Sequence, residues 1–152
     1  MKHFIKNIFL VFISLFLLNS CSEDENTSTF QDFFVGKWEL RKSGIVTSSN
    51  QRSVSDIIPQ GNCTSFDSFT FTNDGLLQIE KYSFTNNQCN SEAINGTYQR
   101  NFRNVSLKYT IPGASEETVI EGTIFQTNQT TFDFVYVQNE QIRVWVMERA
   151  QE

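Results

Sequence analysis

Beyond residue 33, large apolar side chains alternate with polar ones, and turn residues break the alternation every few positions. "SFTFT" sets Phe69 and Phe71 against Ser68, Thr70 and Thr72. "NVSLKYT" sets Val105, Leu107 and Tyr109 against Ser106, Lys108 and Thr110. A period of two marks a strand with one face in a core, because successive side chains leave a pleated strand on opposite sides. No useful length of this region carries the 3.6-residue period of an amphipathic helix. The chain is thereby confined to all-β folds.

Eight strands are predicted: "GKWELRKS", "SFTFT", "LLQIEKYSF", "GTYQRN", "NVSLKYT", "TVIEGTIFQ", "TTFDFVYV" and "QIRVWVME". "NDG" (Asn73, Asp74, Gly75) joins the second and third as a hairpin, since Asn and Gly tolerate the positive φ of tight turns. The segments "NQCNSEAIN", "IPGASEE", "TNQ" and "QNE" read as separators, and residues 43–62 as a long loop. A flat meander of eight strands leaves two unpaired edges, and closure removes them. The expectation is a single eight-stranded antiparallel up-and-down β-barrel, with a two-sheet β-sandwich as the alternative. In the last strand Trp145 shares a face with Arg143 and Met147, and Val144 and Val146 take the other, so the inward face there is left open.

The N-terminus carries the address. Lys2 and Lys6 precede an apolar run over residues 8–18, shorter than the ~20 residues a spanning helix needs. Leu18, Asn19, Ser20 and Cys21 resemble the lipobox of bacterial lipoproteins. That resemblance implies a signal peptide over residues 1–20 and acylation of Cys21, a palmitate-type membrane anchor. Glu23, Asp24 and Glu25 resemble the acidic export signal of Bacteroidetes surface lipoproteins. They imply an outer-membrane protein exposed at the cell surface, with a periplasm-facing anchor as the alternative. Residues 21–32 then form a polar tether, and residues 33–150 the folded domain.

Loss of Lys2 and Lys6 with the leader takes the net charge from −5 to −7. An acidic chain without a basic cluster argues against nucleic acid as a partner. The one histidine, His3, lies in the leader. Without it, Ser-His-Asp and Cys-His activation and the usual transition-metal ligand are gone, so no catalytic residue, metal or cofactor is assigned. Glu39, Glu80, Glu121, Asp133 and Glu148 lie on predicted strands, where alternation puts most of them outside. In an exported protein the remaining thiols, Cys63 and Cys89, read as a disulfide. The bridge would constrain the unfolded chain by ~3 kcal/mol. The arms from the NDG turn to the two cysteines are unequal, so a bulge or curved loops must absorb the surplus.

"FVGKWEL" looks like the Gly-x-Trp signature of lipocalins and related calycin barrels. With the Cys before "FDSFTFTNDG", "NGTY" mid-chain and the closing "VWVMERA", the layout is similar to the small lipocalin-like domains of Bacteroidetes lipoproteins. The resemblance implies fold but no general activity. In lipocalins the signature Trp plugs the barrel floor and an Arg of the last strand packs on it. This assigns Gly36, Trp38 and Arg149 to a structural floor, with a cation–π contact of ~1–2 kcal/mol. The long loop then sits at the opposite mouth, and Ile57 and Ile58 are its candidate ligand contacts. The functional expectation is a non-enzymatic binding module for a small apolar or amphipathic molecule. The alternative is a filled barrel serving a cell-surface protein complex. A Phe-lined cavity or a packed interior distinguishes the two.

Overall fold

The computed structural model describes residues 33–47 and 51–151. Its strands are β1 (Gly36–Val46), β2 (Arg52–Asp56), β3 (Ser68–Phe71), β4 (Leu76–Thr85), β5 (Gln88–Asn101), β6 (Asn104–Tyr109), β7 (Thr118–Asn128), β8 (Thr131–Gln138) and β9 (Gln141–Arg149). All pairings are antiparallel, and neighbours follow chain order from β3 to β9. β1 pairs with β3 on one edge and with β9 on the other, so these eight strands close into a barrel. The sandwich alternative does not hold. The signal peptide, Cys21 and the whole acidic tether lie outside the described residues.

Two expectations about the strands need correction. The loop read over residues 43–62 contains β2, which pairs with the far half of β1 from Lys42↔Asp56 to Val46↔Arg52. The cause is the shortness of β3. It covers only Gly36 to Glu39 on that edge of β1, and the backbone groups beyond would otherwise lack partners. Ile57 N–H then donates to Arg41 O (2.8 Å) and Leu40 N–H to Asp67 O (2.8 Å), so both ends of the intervening loop are tied to β1.

The second correction concerns "NQCNSEAIN", which belongs to β5. Asn86 and Asn87 form the turn before it, both at positive φ (53° and 62°). Gln88 to Ala93 are exposed on both faces, so no alternation marks them as strand. Cys89 is therefore on a strand, opposite Phe84, and not beyond one.

Cross-strand partners share a face, which fixes what points inward. Trp38, Leu40, Phe69, Phe71, Leu77, Ile79, Ile94, Leu107, Ile124, Phe132, Phe134 and Met147 form one continuous core. Trp145 packs against it, paired with Phe134 and Ser43, which settles the inward face of β9. Val144 and Val146 thus point outward, yet they are 1% and 6% exposed. Their cover is the β1–β2 hairpin. A Cβ on Gly44, the partner of Val144, would lie 1.9 Å from Ser53 O, so only glycine lets β2 press so close there. Arg52 then reaches Asp133, the partner of Val146. Its Nη2 donates to Oδ1 at 2.9 Å, and its Nη1 bonds Oδ2.

Candidate functional site

The end of the barrel at Trp38 is sealed. Trp38 is fully buried, and its indole Nε1–H donates to Phe34 O at 2.8 Å. Phe33 and Phe132 lie 5.1 and 4.6 Å from its ring. The Arg149 guanidinium sits 4.4 Å from the Trp38 centroid and donates to the carbonyls of Phe33 and Val35. A side chain at Gly36, whose φ is +126°, would put its Cβ 2.7 Å from Arg149 Nη1. Glycine is the residue that leaves room for the guanidinium.

Above this floor the interior is full. The residual space among Phe34, Phe69, Phe71, Phe132, Phe134 and Trp145 is about 10 Å³. That is about one water's worth. Toward the other end, Tyr109, Tyr136 and Arg143 point inward. Burial pushes both phenols above their ordinary 10.0, with the Arg143 charge opposing it at Tyr136. The buried Nε of Arg143 has no hydrogen-bond partner. The sequence puts Arg143 on one face with Trp145 and Met147 and leaves open which face is inward; the register settles it.

A larger space lies on the outer wall. A recess of about 290 Å³ is enclosed by Ile57, Ile58, Pro59, Cys63, Phe66, Tyr82 and Phe84, among others. Tyr82 and Phe84 point outward, being two and four residues beyond Glu80 on the face opposite Ile79. The loop between β2 and β3 folds over them. Its anchors are the Cys63–Cys89 disulfide (Cα–Cα 5.2 Å) and the bond from Tyr82 N–H to Asp67 Oδ1 (2.8 Å). Gly61, at φ +61°, lies flat against Phe84, where any Cβ would sit 2.5 Å from the ring. The unequal arms of the bridge are reconciled here, because the shorter arm reaches β3 through an irregular loop, residues 63–67, lying beside β4.

Ile57 and Ile58 both line this recess, so their expected place at the mouth is corrected to the side of the barrel. The chain turns back at Asp56 because β2 must follow β1, which carries it down the wall. Ile57 packs against the core and Ile58 is 80% exposed. Phe66, Tyr82 and Phe84 were not singled out. Alternation hid them, since it assigns the outer face of β4 to solvent.

Of the strand carboxylates, Glu39, Glu80, Asp133 and Glu148 form ion pairs, and Glu121 lies on the outer face of β7. Glu39 and Glu148 are cross-strand neighbours, with Arg41 3.1 Å from the first and 3.7 Å from the second. Glu80 lies 3.4 Å from Lys37. Among the described residues no three His, Cys, Asp or Glu side chains are grouped to hold a metal ion. No helix among them is long and apolar enough to cross a membrane.

A closed antiparallel barrel with a Gly-x-Trp floor and an Arg from its last strand defines a lipocalin-like architecture. Residues 34–134 match the family described as lipocalin-like domain, and the chain belongs to it. Among solved structures it is similar to a lipocalin-like protein from Bacteroides uniformis, at 8% identity and a TM-score of 0.51, covering 78% of this chain and 99% of that one. It is also similar to an uncharacterized protein from Bacteroides eggerthii, at 12% identity and a TM-score of 0.46, covering 76% and 98%. A redesigned β-barrel matches at 13% identity and a TM-score of 0.43, covering 80% and 95%. None of the curated proteins compared matches this chain.

Proposed function

We propose that the chain is a non-enzymatic binding domain, anchored by acylated Cys21 to the outer membrane and exposed at the cell surface. Its ligand is a small apolar or amphipathic molecule held on the side of the barrel. The supporting observation is the contrast in space: about 290 Å³ beneath the Ile57–Phe66 side and about 10 Å³ inside. The recess is close to the lower bound of small-molecule sites, and its aromatic lining suits a flat or short-chain ligand. Asp67 and the Tyr82 hydroxyl place polar groups at its edge.

Native mass spectrometry of the protein recovered from its own host tests this. A retained small molecule is expected, lost when Phe84 is replaced by Ala. A bare mass, or a retained molecule that survives that substitution, would sink the reading. A second reading, an interaction subunit of a cell-surface complex, draws support from the filled interior and from exposed Phe125, Val137 and Ile142 on β7–β9. A stable protein partner co-purifying with the bare domain would favour it.

A further inference from the structure

The geometry points to a second binding site, for a neutral oligosaccharide, on the outer face of β5, β6 and β7. It is independent of the recess beside β4. Gln99, Ser106 and Glu121 form one cross-strand row there, and Asn101, Asn104 and Thr123 the next. Both rows face away from the core, because Leu107 and Ile120, one residue further along their strands, face into it. Together they line a groove of about 830 Å³. That volume is within the range of small-molecule sites and far larger than either space described above.

The groove exists because the wall is dented. Gly122 points inward, and a Cβ on it would lie 2.6 Å from Val135 O and 2.7 Å from the Phe134 ring. The absent side chain lets β7 sink toward the core. Val105 and Gly122 face inward, yet both line the groove, so their backbone is its floor. This depression is built into the strand positions and does not depend on a mobile loop.

Its chemistry suits a hydroxyl-rich ligand without net charge, because the one carboxylate in the lining, Glu121, is balanced by the Arg100 guanidinium. Three carboxamides, two hydroxyls and one carboxylate offer donors and acceptors side by side, which matches the mixed donor–acceptor character of vicinal sugar hydroxyls. Ser106 Oγ is buried and has no partner. A buried polar group in that state costs about 1–3 kcal/mol until something bonds it. At the groove's end the β5–β6 turn carries Phe102, 58% exposed and at φ +58°, a conformation bulky residues rarely adopt. Arg100 Nε–H donates to Phe102 O at 2.8 Å and holds the turn. The Arg103 guanidinium lies 5.6 Å from the centroid of the Phe102 ring, whose exposed apolar surface beside the polar groove suits stacking on a pyranose ring.

Isothermal titration of the purified full chain with maltohexaose, cellohexaose, xylohexaose and mannohexaose tests the site. Used at about 10 mM, each would populate even a millimolar complex. At least one should bind. Glu121→Gln, Ser106→Ala and Phe102→Ala should each weaken it about five- to ten-fold, the effect of one lost hydrogen bond or stacking contact. None of the three side chains belongs to the hydrophobic core. Ile58→Ala, in the other recess, should leave affinity unchanged. Absence of heat with all four sugars overturns the site, as does binding that Ile58→Ala abolishes and Glu121→Gln does not.

Discussion

The two faces of the barrel wall behave differently. Inside, aromatic residues of β1, β3, β5, β6, β8 and β9 interlock until almost no space is left. Outside, two segments lie over the wall: the β1–β2 hairpin above Val144 and Val146, and the Cys63 loop above Tyr82 and Phe84. The first cover is tight and the second leaves a recess. The interior is thus given over to packing, and the space that remains lies on the outer surface. Stability and binding should then separate by mutation, interior changes striking one and exterior changes the other.

The largest effect belongs to the floor. Trp38→Ala removes a fully buried indole, its bond to Phe34 O and the surface on which Arg149 rests. Large-to-small core changes of this kind cost about 3–5 kcal/mol. Urea unfolding followed by fluorescence should show the loss as a lower midpoint at unchanged slope. A cost below about 1 kcal/mol would mean that the floor relaxes freely, contrary to close packing.

Removing the disulfide tests the second face. With Cys63 and Cys89 both replaced by Ser, stability should fall by about 2–4 kcal/mol. The distinctive expectation is local. Amides of residues 57–67 should exchange faster with solvent, and any molecule held beside Phe84 should be released, while barrel amides stay protected. Uniform loss of protection would show that the loop and the barrel unfold as one unit, and the comparison would break.

The interior was legible in the sequence because period-two alternation is a direct consequence of one buried face. Phe69, Phe71, Leu107 and Phe134 all follow it. The floor was legible for a different reason: the Gly-x-Trp resemblance implies it, and antiparallel closure, which brings the end of β9 to the start of β1, makes Trp38↔Arg149 a register pair. The outer covers were not legible. Val144 and Trp145 are both apolar and adjacent, so alternation could not say which was inside. Nor does any local pattern announce that β2 will curl over the wall, since Arg52 to Asp56 are polar apart from Val54 and mostly exposed. The cause is non-local, the shortness of β3 together with a glycine at position 44. The disulfide was legible as a pairing, but its course beside β4 required knowing that Gln88–Asn101 is a strand.

The smallest effect should come from the hairpin over β8 and β9. Arg52→Ala leaves the Asp133 carboxylate, 11% exposed, without its bidentate partner. Breaking a wholly buried pair costs about 3–5 kcal/mol and an exposed one under about 1 kcal/mol. Because Arg52 itself is 42% exposed, the expected cost lies between, at about 1–2 kcal/mol. The partner change discriminates charge from cover. Asp133 sits between Phe125 and Val146, so replacing it with Val in the Arg52→Ala background removes the stranded charge in apolar surroundings. Stability should then recover most of the loss, while the β2 amides remain faster in exchange than those of β1. Full recovery of β2 protection would mean that Gly44 and the backbone ladder alone hold the cover. The ion pair would then only compensate for an aspartate placed beneath it.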